Sequence, residues 1–202
     1  LVTHDLLSKH FKEEIETWSL NHEQQLKPLV DTIGSTHNYV SRRIDQKLLS
    51  PDSLPQDTLS GHVPISAIFA CVGVIVAILR GKRDVVMSNE RSADEATLMY
   101  LGTQINHQYS KSSDFEIDFQ NLLKLQHGDS LRYYSLLRPL SEIQIARYFI
   151  KNCYQKYKSV FSSCNKAYVH GQSKLFWDGK CPKCAFIYLV FQPFLNEDEL
   201  IS

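Results

Sequence analysis

Residues 63–88 read VPISAIFACVGVIVAILRGKRDVVMS, and their reading decides the fold. Pro64 suits the first turn of a helix, where the backbone N–H has no partner in any case. The apolar run from Val63 to Leu79 carries that helix onward. Arg80, Gly81, Lys82 and Arg83 close it, because glycine stops a helix and cations suit its negative end. Pro64, Ser66 and Gly73 interrupt the run, and a membrane span needs about 20 apolar residues. A helix buried in a domain core is therefore expected, with Cys71 a small hydrophobe inside it. Asp84–Ser88 (DVVMS) then leaves as a short buried strand. Upstream, residues 37–44 (HNYVSRRI) also read as a strand. Residues 45–62 hold Pro51, Pro55, Gly61 and several serines and aspartates, the composition of a loop. Strand, helix, strand is the βαβ pattern of a parallel sheet, so the expected fold class is α/β.

Working outward, residues 1–36 read as a helical segment. Leu6, Leu7, Phe11, Ile15 and Trp18 recur at three- and four-residue spacing and give one amphipathic face. A helix is expected from about Glu95, and another capped by Asp114, with Phe115, Phe119, Leu122 and Leu123 on one face. Leu131–Leu137 reads as a strand. Ser141 and Glu142 open a helix through Ile150. A cysteine-bearing region follows, and Ala185–Leu195 reads as a final apolar helix. Residues 1–36 are thus expected to form one helical segment and residues 37–202 the C-terminal part of the α/β domain, including the cysteine region at 164–184.

Composition narrows the function classes. The 202 residues are 43% hydrophobic and 22% charged, the balance of a globular domain. A chain of this length can bury roughly 70% of its unfolded surface. Lys plus Arg equals Asp plus Glu at 22 each, so no net basic field exists to hold nucleic acid. No basic n-region with an apolar h-region opens the chain, and a cytoplasmic protein with no membrane partner is expected. The first residue is Leu1 rather than Met, and the reading expects an N-terminus cut short.

Three polar strings sit where an α/β sheet keeps its ligands, beyond the carboxyl ends of strands. In Ser60-Gly61-His62-Val63-Pro64 a helix N-terminus offers free N–H groups to an anion, and Gly61 allows close approach. Ser88-Asn89-Glu90-Arg91-Ser92-Ala93 leaves the strand 84–88. There Glu90 can hold Mg²⁺ or a ligand hydroxyl, and Arg91 a phosphate or carboxylate. Asn106-His107-Gln108-Tyr109-Ser110-Lys111-Ser112 is dense in groups that move protons or bind anions; a histidine such as His107 can serve as acid or base, and Lys111 can stabilise an anion or act as a base. The plain alternative for each is a solvated loop with a capping residue.

Five cysteines, an odd number, include the pair Cys181-x-x-Cys184. With no secretion signal, this favours reduced thiols and a metal site over disulfides. Cys164 supplies a third thiolate. Structural zinc takes four ligands, and Asp178 and His170 both stand as candidates for the fourth.

The strings RRID (42–45), LSGHVPISAI (59–68), VVMSNERSADE (85–95), INHQYSKSSDFE (105–116) and GKCPKCAFIYLVFQPFL (179–195) together resemble the muramoyl-dipeptide glutamate epimerases, the MurL family. The resemblance covers about residues 37–196. It implies a parallel-sheet nucleotide-binding domain, of the adenine nucleotide alpha hydrolase-like or PP-loop kind, with a C-terminal cysteine-containing helical element. It also implies ATP with Mg²⁺ as cofactors and a UDP-muramoyl dipeptide as substrate, whose terminal L-glutamate is activated as an acyl adenylate and inverted. On that reading His107, Lys111, Glu90 and Arg91 are catalytic; Gly61, His62, Ser88, Asn89 and Ser92 bind the nucleotide; and Asn106, Tyr109 and Ser110 bind substrate. Cys164, Cys181, Cys184 and Asp178 would hold a structural zinc. Two departures stand out. The Ser-Gly-Gly-x-Asp-Ser phosphate loop of such proteins is missing, and it is expected upstream of Leu1. The pattern Trp-Cys-Gly-x-Cys-Pro-x-Cys of the related deazaguanine nitrile synthases reads here Trp177-Asp178-Gly179-Lys180-Cys181-Pro182-Lys183-Cys184, with aspartate in place of the first cysteine. The rival readings are another adenylating synthase on the same scaffold, a zinc-knuckle interaction module, and an inactive homologue.

Overall fold

The computed structural model describes residues 1–11, 15–49, 54–58, 63–168 and 174–201. The expectations at Ser60, Gly61, His62 and His170 lie outside the described residues.

The chain begins with α1 (Val2–Ser8), β1 (Thr17–Leu20), α2 (Glu23–Ile33) and β2 (His37–Val40). β1 and β2 pair in parallel, from Thr17 against His37 to Leu20 against Val40. A strand therefore interrupts the expected helical segment 1–36. Asn21 and His22 are the reason: both take left-handed backbone angles (φ 60 and 58) and break the helical period that Ile15 and Trp18 seemed to continue. Gly34, at φ 79, ends α2 with its N–H on the Val30 carbonyl.

After α3 (Gln46–Leu49), Pro64 caps α4 (Ile65–Leu79), which leads into β3 (Asp84–Met87) as expected. β3 pairs not with β2 but with β6 (Arg132–Ser135), in parallel, from Asp84 against Arg132 to Met87 against Ser135. The crossover is α5 (Ser113–His127). The architecture is thus mixed α/β with two parallel strand pairs. α4 packs against both: its Gly73 faces Val85 of β3 and Trp18 of β1. Glu16, just ahead of β1, ion-pairs with Arg80 at 2.7 Å and Lys82 at 3.3 Å, tying that strand to the end of α4.

The helix expected from Glu95 is instead a hairpin, β4 (Leu98–Tyr100) and β5 (Thr103–Ile105). Leu101 and Gly102, at φ 47 and 79, make its tight turn. α5 is capped by Ser112, whose hydroxyl accepts from the Phe115 N–H, and Asp114 sits in its first turn rather than at the cap. Ser141 opens α6 (Glu142–Asn152) with a capping box to Gln144. Then follow α7 (Tyr154–Tyr157), α8 (Pro182–Phe191) and α9 (Glu197–Ile201).

Burial divides the apolar residues into a sheet core and a helical core. In the first, Ala70, Val74 and Ala77 of α4 meet Val85, Leu123, Leu131 and Tyr133. In the second, Val2, Ala146, Phe149, Tyr154, Tyr157 and Phe191 join α1 to the C-terminal helices. α4 buries the stripe 66, 70, 73, 74, 77. Cys71 is on its other side and exposed, against the expectation of burial. Among the described residues no helix is long and apolar enough to cross a membrane.

Gly73 has no room for a side chain: a Cβ there would lie 2.9 Å from Val85 Cγ1 and 3.1 Å from Trp18 Cζ2. Gly73→Val should lower the unfolding free energy by roughly 2 kcal/mol through overpacking, read as a lower midpoint in urea denaturation.

Candidate functional site

β3 and β6 end side by side, and the polar string 88–93 leaves from β3. Asn89 is buried and its amide donates to Ser135 Oγ at 3.0 Å, closing the two strand ends together. The Ser88 hydroxyl bonds Thr3 Oγ1 at 2.8 Å. Residues 91–94 form one tight helical turn. The Arg91 N–H donates to the Leu140 carbonyl at 3.0 Å, and Ser92 Oγ donates to a Glu142 carboxylate oxygen. The Arg91 side chain is exposed and Glu90 is half-buried.

The second string, 106–112, folds onto the first. Asn106 Nδ2 donates to the Ala93 carbonyl at 2.7 Å, and its Oδ1 accepts from the Gln108 N–H at 2.8 Å. The His107 N–H meets Thr97 Oγ1 at 3.3 Å, leaving its imidazole exposed. Lys111 Nζ donates to Gln108 Oε1 at 2.8 Å. The Tyr109 hydroxyl donates to Asp118 at 3.1 Å, and that hydrogen bond raises the phenol's pKa above its ordinary value. Ser110 is buried.

Arg138, three residues past β6, locks the two strings. It donates to the Glu90 carbonyl at 3.2 Å and the Lys111 carbonyl at 2.8 Å. It also pairs with the Glu116 carboxylate at 3.0 Å and with Asp94 at 3.6 Å. One planar fork with five donors suits several acceptors at once. Sequence reasoning picked out Ser88–Ser92 because they follow a strand, and passed over Arg138 although it follows the strand read at 131–137. The same rule applied there would have found it. Of the residues expected in the site, Ser88 also lines a cavity of about 870 Å³.

The cysteine region builds a separate, compact centre. Cys164 and Asp178 both lie in the connection between α7 and α8, and Cys181 caps α8 with Cys184 in its first turn. Ligand atoms of Cys164, Asp178, Cys181 and Cys184 all lie within 4.8 Å of one another. Neighbouring sulfurs stand 3.8 and 3.4 Å apart, and Asp178 Oδ1 is 3.4 Å from Cys164 Sγ and 3.2 Å from Cys184 Sγ. A tetrahedral zinc with Zn–S of about 2.3 Å and Zn–O of about 2.1 Å sets edges of about 3.8 Å between sulfurs and about 3.6 Å from sulfur to oxygen. The four side chains therefore fit a metal ion such as zinc, with Asp178 in the fourth place.

The surroundings favour the anionic forms of Asp178 and Cys181, whereas burial pushes the Cys184 thiol up to about 11. The Lys180 N–H, the Cys184 thiol and the Cys181 N–H all point at Asp178, and Lys166 Nζ lies 3.1 Å from its other oxygen. Together, the Lys180 N–H foremost, they hold its carboxyl far below the usual range. N–H groups of Asn165 and Cys184 lie 3.4 Å from Cys181 Sγ and, Asn165 foremost, draw that thiol down to about 7.

Two outcomes follow from this geometry. Arg138→Ala should cost about 2 kcal/mol of stability, since Glu116 loses its half-buried partner, as measured by chemical denaturation. Metal analysis should find one zinc per chain, and Asp178→Ala should weaken zinc at least about tenfold in competition with a chromophoric chelator.

Comparison with known proteins places these features in a lineage. The chain is 40% identical over 149 residues to UDP-N-acetyl-alpha-D-muramoyl-L-alanyl-L-glutamate epimerase of Xanthomonas oryzae, covering 73% of this chain and 33% of that protein. It is 40% identical over 159 residues to the protein of the same name from Salinispora tropica, covering 79% and 34%. A third of that name, from a Micromonospora species, is 35% identical over 184 residues, covering 91% and 40%. The chain thus spans 33 to 40% of the length of these relatives. The family described as MurL N-terminal domain matches residues 1–136, and that described as MurL C-terminal domain matches residues 160–202. With both ends of the sequence matched in this way, the chain belongs to the MurL family.

Proposed function

We propose that this chain forms part of an epimerase that inverts the terminal L-glutamate of UDP-N-acetylmuramoyl-L-alanyl-L-glutamate to D-glutamate, in peptidoglycan precursor synthesis in the cytoplasm. The observation that carries the reading is the meeting of strings 88–93 and 106–112 beyond β3 and β6, in a chain whose relatives bear that epimerase's name. The finer fold reading, a PP-loop-type nucleotide-binding sheet, belongs to the same proposal. It is supported by the two parallel pairs.

ATP with Mg²⁺ supplies one thing in this scheme: it converts the glutamate carboxylate to an acyl adenylate. A free carboxylate leaves its α C–H very weakly acidic, because deprotonation would put a second negative charge beside the first. The mixed anhydride removes the first charge, and the carbanion formed at Cα delocalises into the acyl oxygen. Pyrophosphate leaves as the anhydride forms; the α-proton then leaves to a base of the chain, another returns to the opposite face, and hydrolysis releases AMP and the UDP-muramoyl dipeptide ending in D-glutamate. His107 and Lys111 are assigned the proton transfers or the stabilisation of that anion. Glu90 and Arg91, with Ser88, Asn89 and Ser92, are assigned to the nucleotide and carboxylate. Asn106, Tyr109 and Ser110 are assigned to substrate, and Gly61 and His62 to the phosphate side. No Ser-Gly-Gly-x-Asp-Ser run occurs among the 202 residues, so none of them is assigned the pyrophosphate grip. The zinc centre is assigned a structural role, fixing α8 to the loops before it.

A second reading has one observation in its favour: the four-ligand centre is complete in this chain, whereas the phosphate loop is not. In that reading the chain is a zinc-knuckle binding module, and the ligands of the metal matter while His107 does not.

The test is run in D₂O with ATP, Mg²⁺ and the UDP-muramoyl dipeptide. Deuterium should enter the glutamate α-carbon, and His107→Ala should slow its entry by about 100-fold or more. Arg91→Ala should lower turnover of ATP and dipeptide together. Unchanged exchange in His107→Ala removes that residue from the mechanism. Turnover of a deazapurine carboxylic acid instead of the dipeptide would move the chain to the synthase reading.

A further inference from the structure

Parallel strands pair less strongly than antiparallel ones and occur in sheets covered on both faces. Two strands alone make a marginal sheet. This molecule has two such pairs, β1–β2 and β3–β6, and among the described residues no strand joins them. They nevertheless share one helix, since Gly73 of α4 faces Trp18 of β1 and Val85 of β3. Between the pairs lies the cavity of about 870 Å³.

The hydrogen-bond ladders fix which backbone groups face it. On β1, the Thr17 N–H donates to the Thr36 carbonyl at 2.9 Å, and the Asn21 N–H to the Val40 carbonyl at 2.7 Å. Strand groups alternate in direction with period two. Thr17, Ser19 and Asn21 therefore serve β2, while Trp18 and Leu20 aim their N–H and C=O groups the other way. On β3, the Arg83 and Met87 carbonyls accept from the Arg132 and Leu136 N–H groups at 2.8 and 3.1 Å. Arg83, Val85 and Met87 therefore serve β6, and Asp84 and Val86 aim away from it. Trp18, Asp84 and Val86 all line the cavity. Its wall also carries Leu29 of α2 and Val76 and Ala77 of α4. Two strand edges with open main-chain groups thus front one space with apolar helix residues in its wall.

We infer that this cavity is the seat of a further β-strand, supplied from outside residues 1–202, that bonds to β1 on one side and β3 on the other and joins the two pairs into one five-stranded sheet. Its length matches its neighbours, four residues each. Its chemistry follows from its place. A strand buried on both faces reads as a near-continuous run of Val, Ile and Leu. The relatives are long enough to provide it, because this chain covers 33 to 40% of them. The inference stands on strand geometry and is independent of the reaction proposed above.

The test uses the 202-residue chain and overlapping synthetic peptides, each about 15 residues long, that tile the part of the Xanthomonas relative outside the matched region; the recognition mode is strand addition. Amide hydrogen exchange is followed by NMR. One set of overlapping peptides should bind and slow exchange at Trp18, Leu20, Asp84 and Val86 by about tenfold or more, while the hairpin β4–β5 is unchanged. Val86→Pro removes an N–H that β6 does not use, and should reduce affinity for that peptide about tenfold. The inference is overturned if no peptide slows those four amides. It is overturned equally if they are already protected in the chain alone, whether by a second copy or by contacts within it. Loss of epimerisation in His107→Ala would leave either result untouched.

Discussion

Arg138 stands between two loops that are well separated in the chain, and both close on its guanidinium. Its fork donates to the main-chain carbonyls of Glu90 and Lys111, so it reads the path of the backbone rather than any one side chain. Glu116 and Asp94 balance its charge. A residue placed in this way can hold exposed groups such as Arg91 and His107 on fixed supports without touching them. Chemistry at a carbon-bound proton depends on such positioning, since a misplacement of about 1 Å can cost a hundredfold in rate.

The cysteine centre performs a similar task by other means. Three short stretches that bury little apolar surface meet there, and the small cluster of Cys164, Ala167, Cys181 and Cys184 has Leu175 as its partly buried apolar neighbour. Hydrophobic burial of that size holds little. A metal bound by the four ligand atoms would hold much more, and α8 reaches from them to Phe191, which packs on Phe149 in the helical core. The loop region would then be anchored at one end by coordination and at the other by packing.

Much of this was legible in the sequence. The helix 65–79, the strand after it, the capped helix at 142 and the three cysteines with Asp178 all announce themselves through local rules: apolar period, capping residues and ligand spacing. Strand partnership did not, because it is decided by contacts between distant segments. Residues 37–44 and 84–88 both read as strands, yet each found another partner. Trp18 fitted a helical stripe and lies in a strand, since the break at Asn21 and His22 depends on left-handed angles that neither residue type demands. The hairpin at 98–105 was missed although Leu101-Gly102 is a reasonable turn, because its exposed Leu98, Met99 and Tyr100 mimic a buried face. Arg138 was missed for a different reason. A single arginine before a proline looks like surface, and only the fold brings two carbonyls and two carboxylates around it.

Asp178 would give a metal bound in this cluster a character that four thiolates would lack. Sulfur donors favour soft, polarisable ions, whereas a carboxylate oxygen is hard. Replacing one sulfur with oxygen shifts the preference away from monovalent copper and toward a borderline ion such as zinc. It also leaves one fewer atom open to oxidation by peroxide, at the one ligand position that Lys166 already shields with an opposite charge.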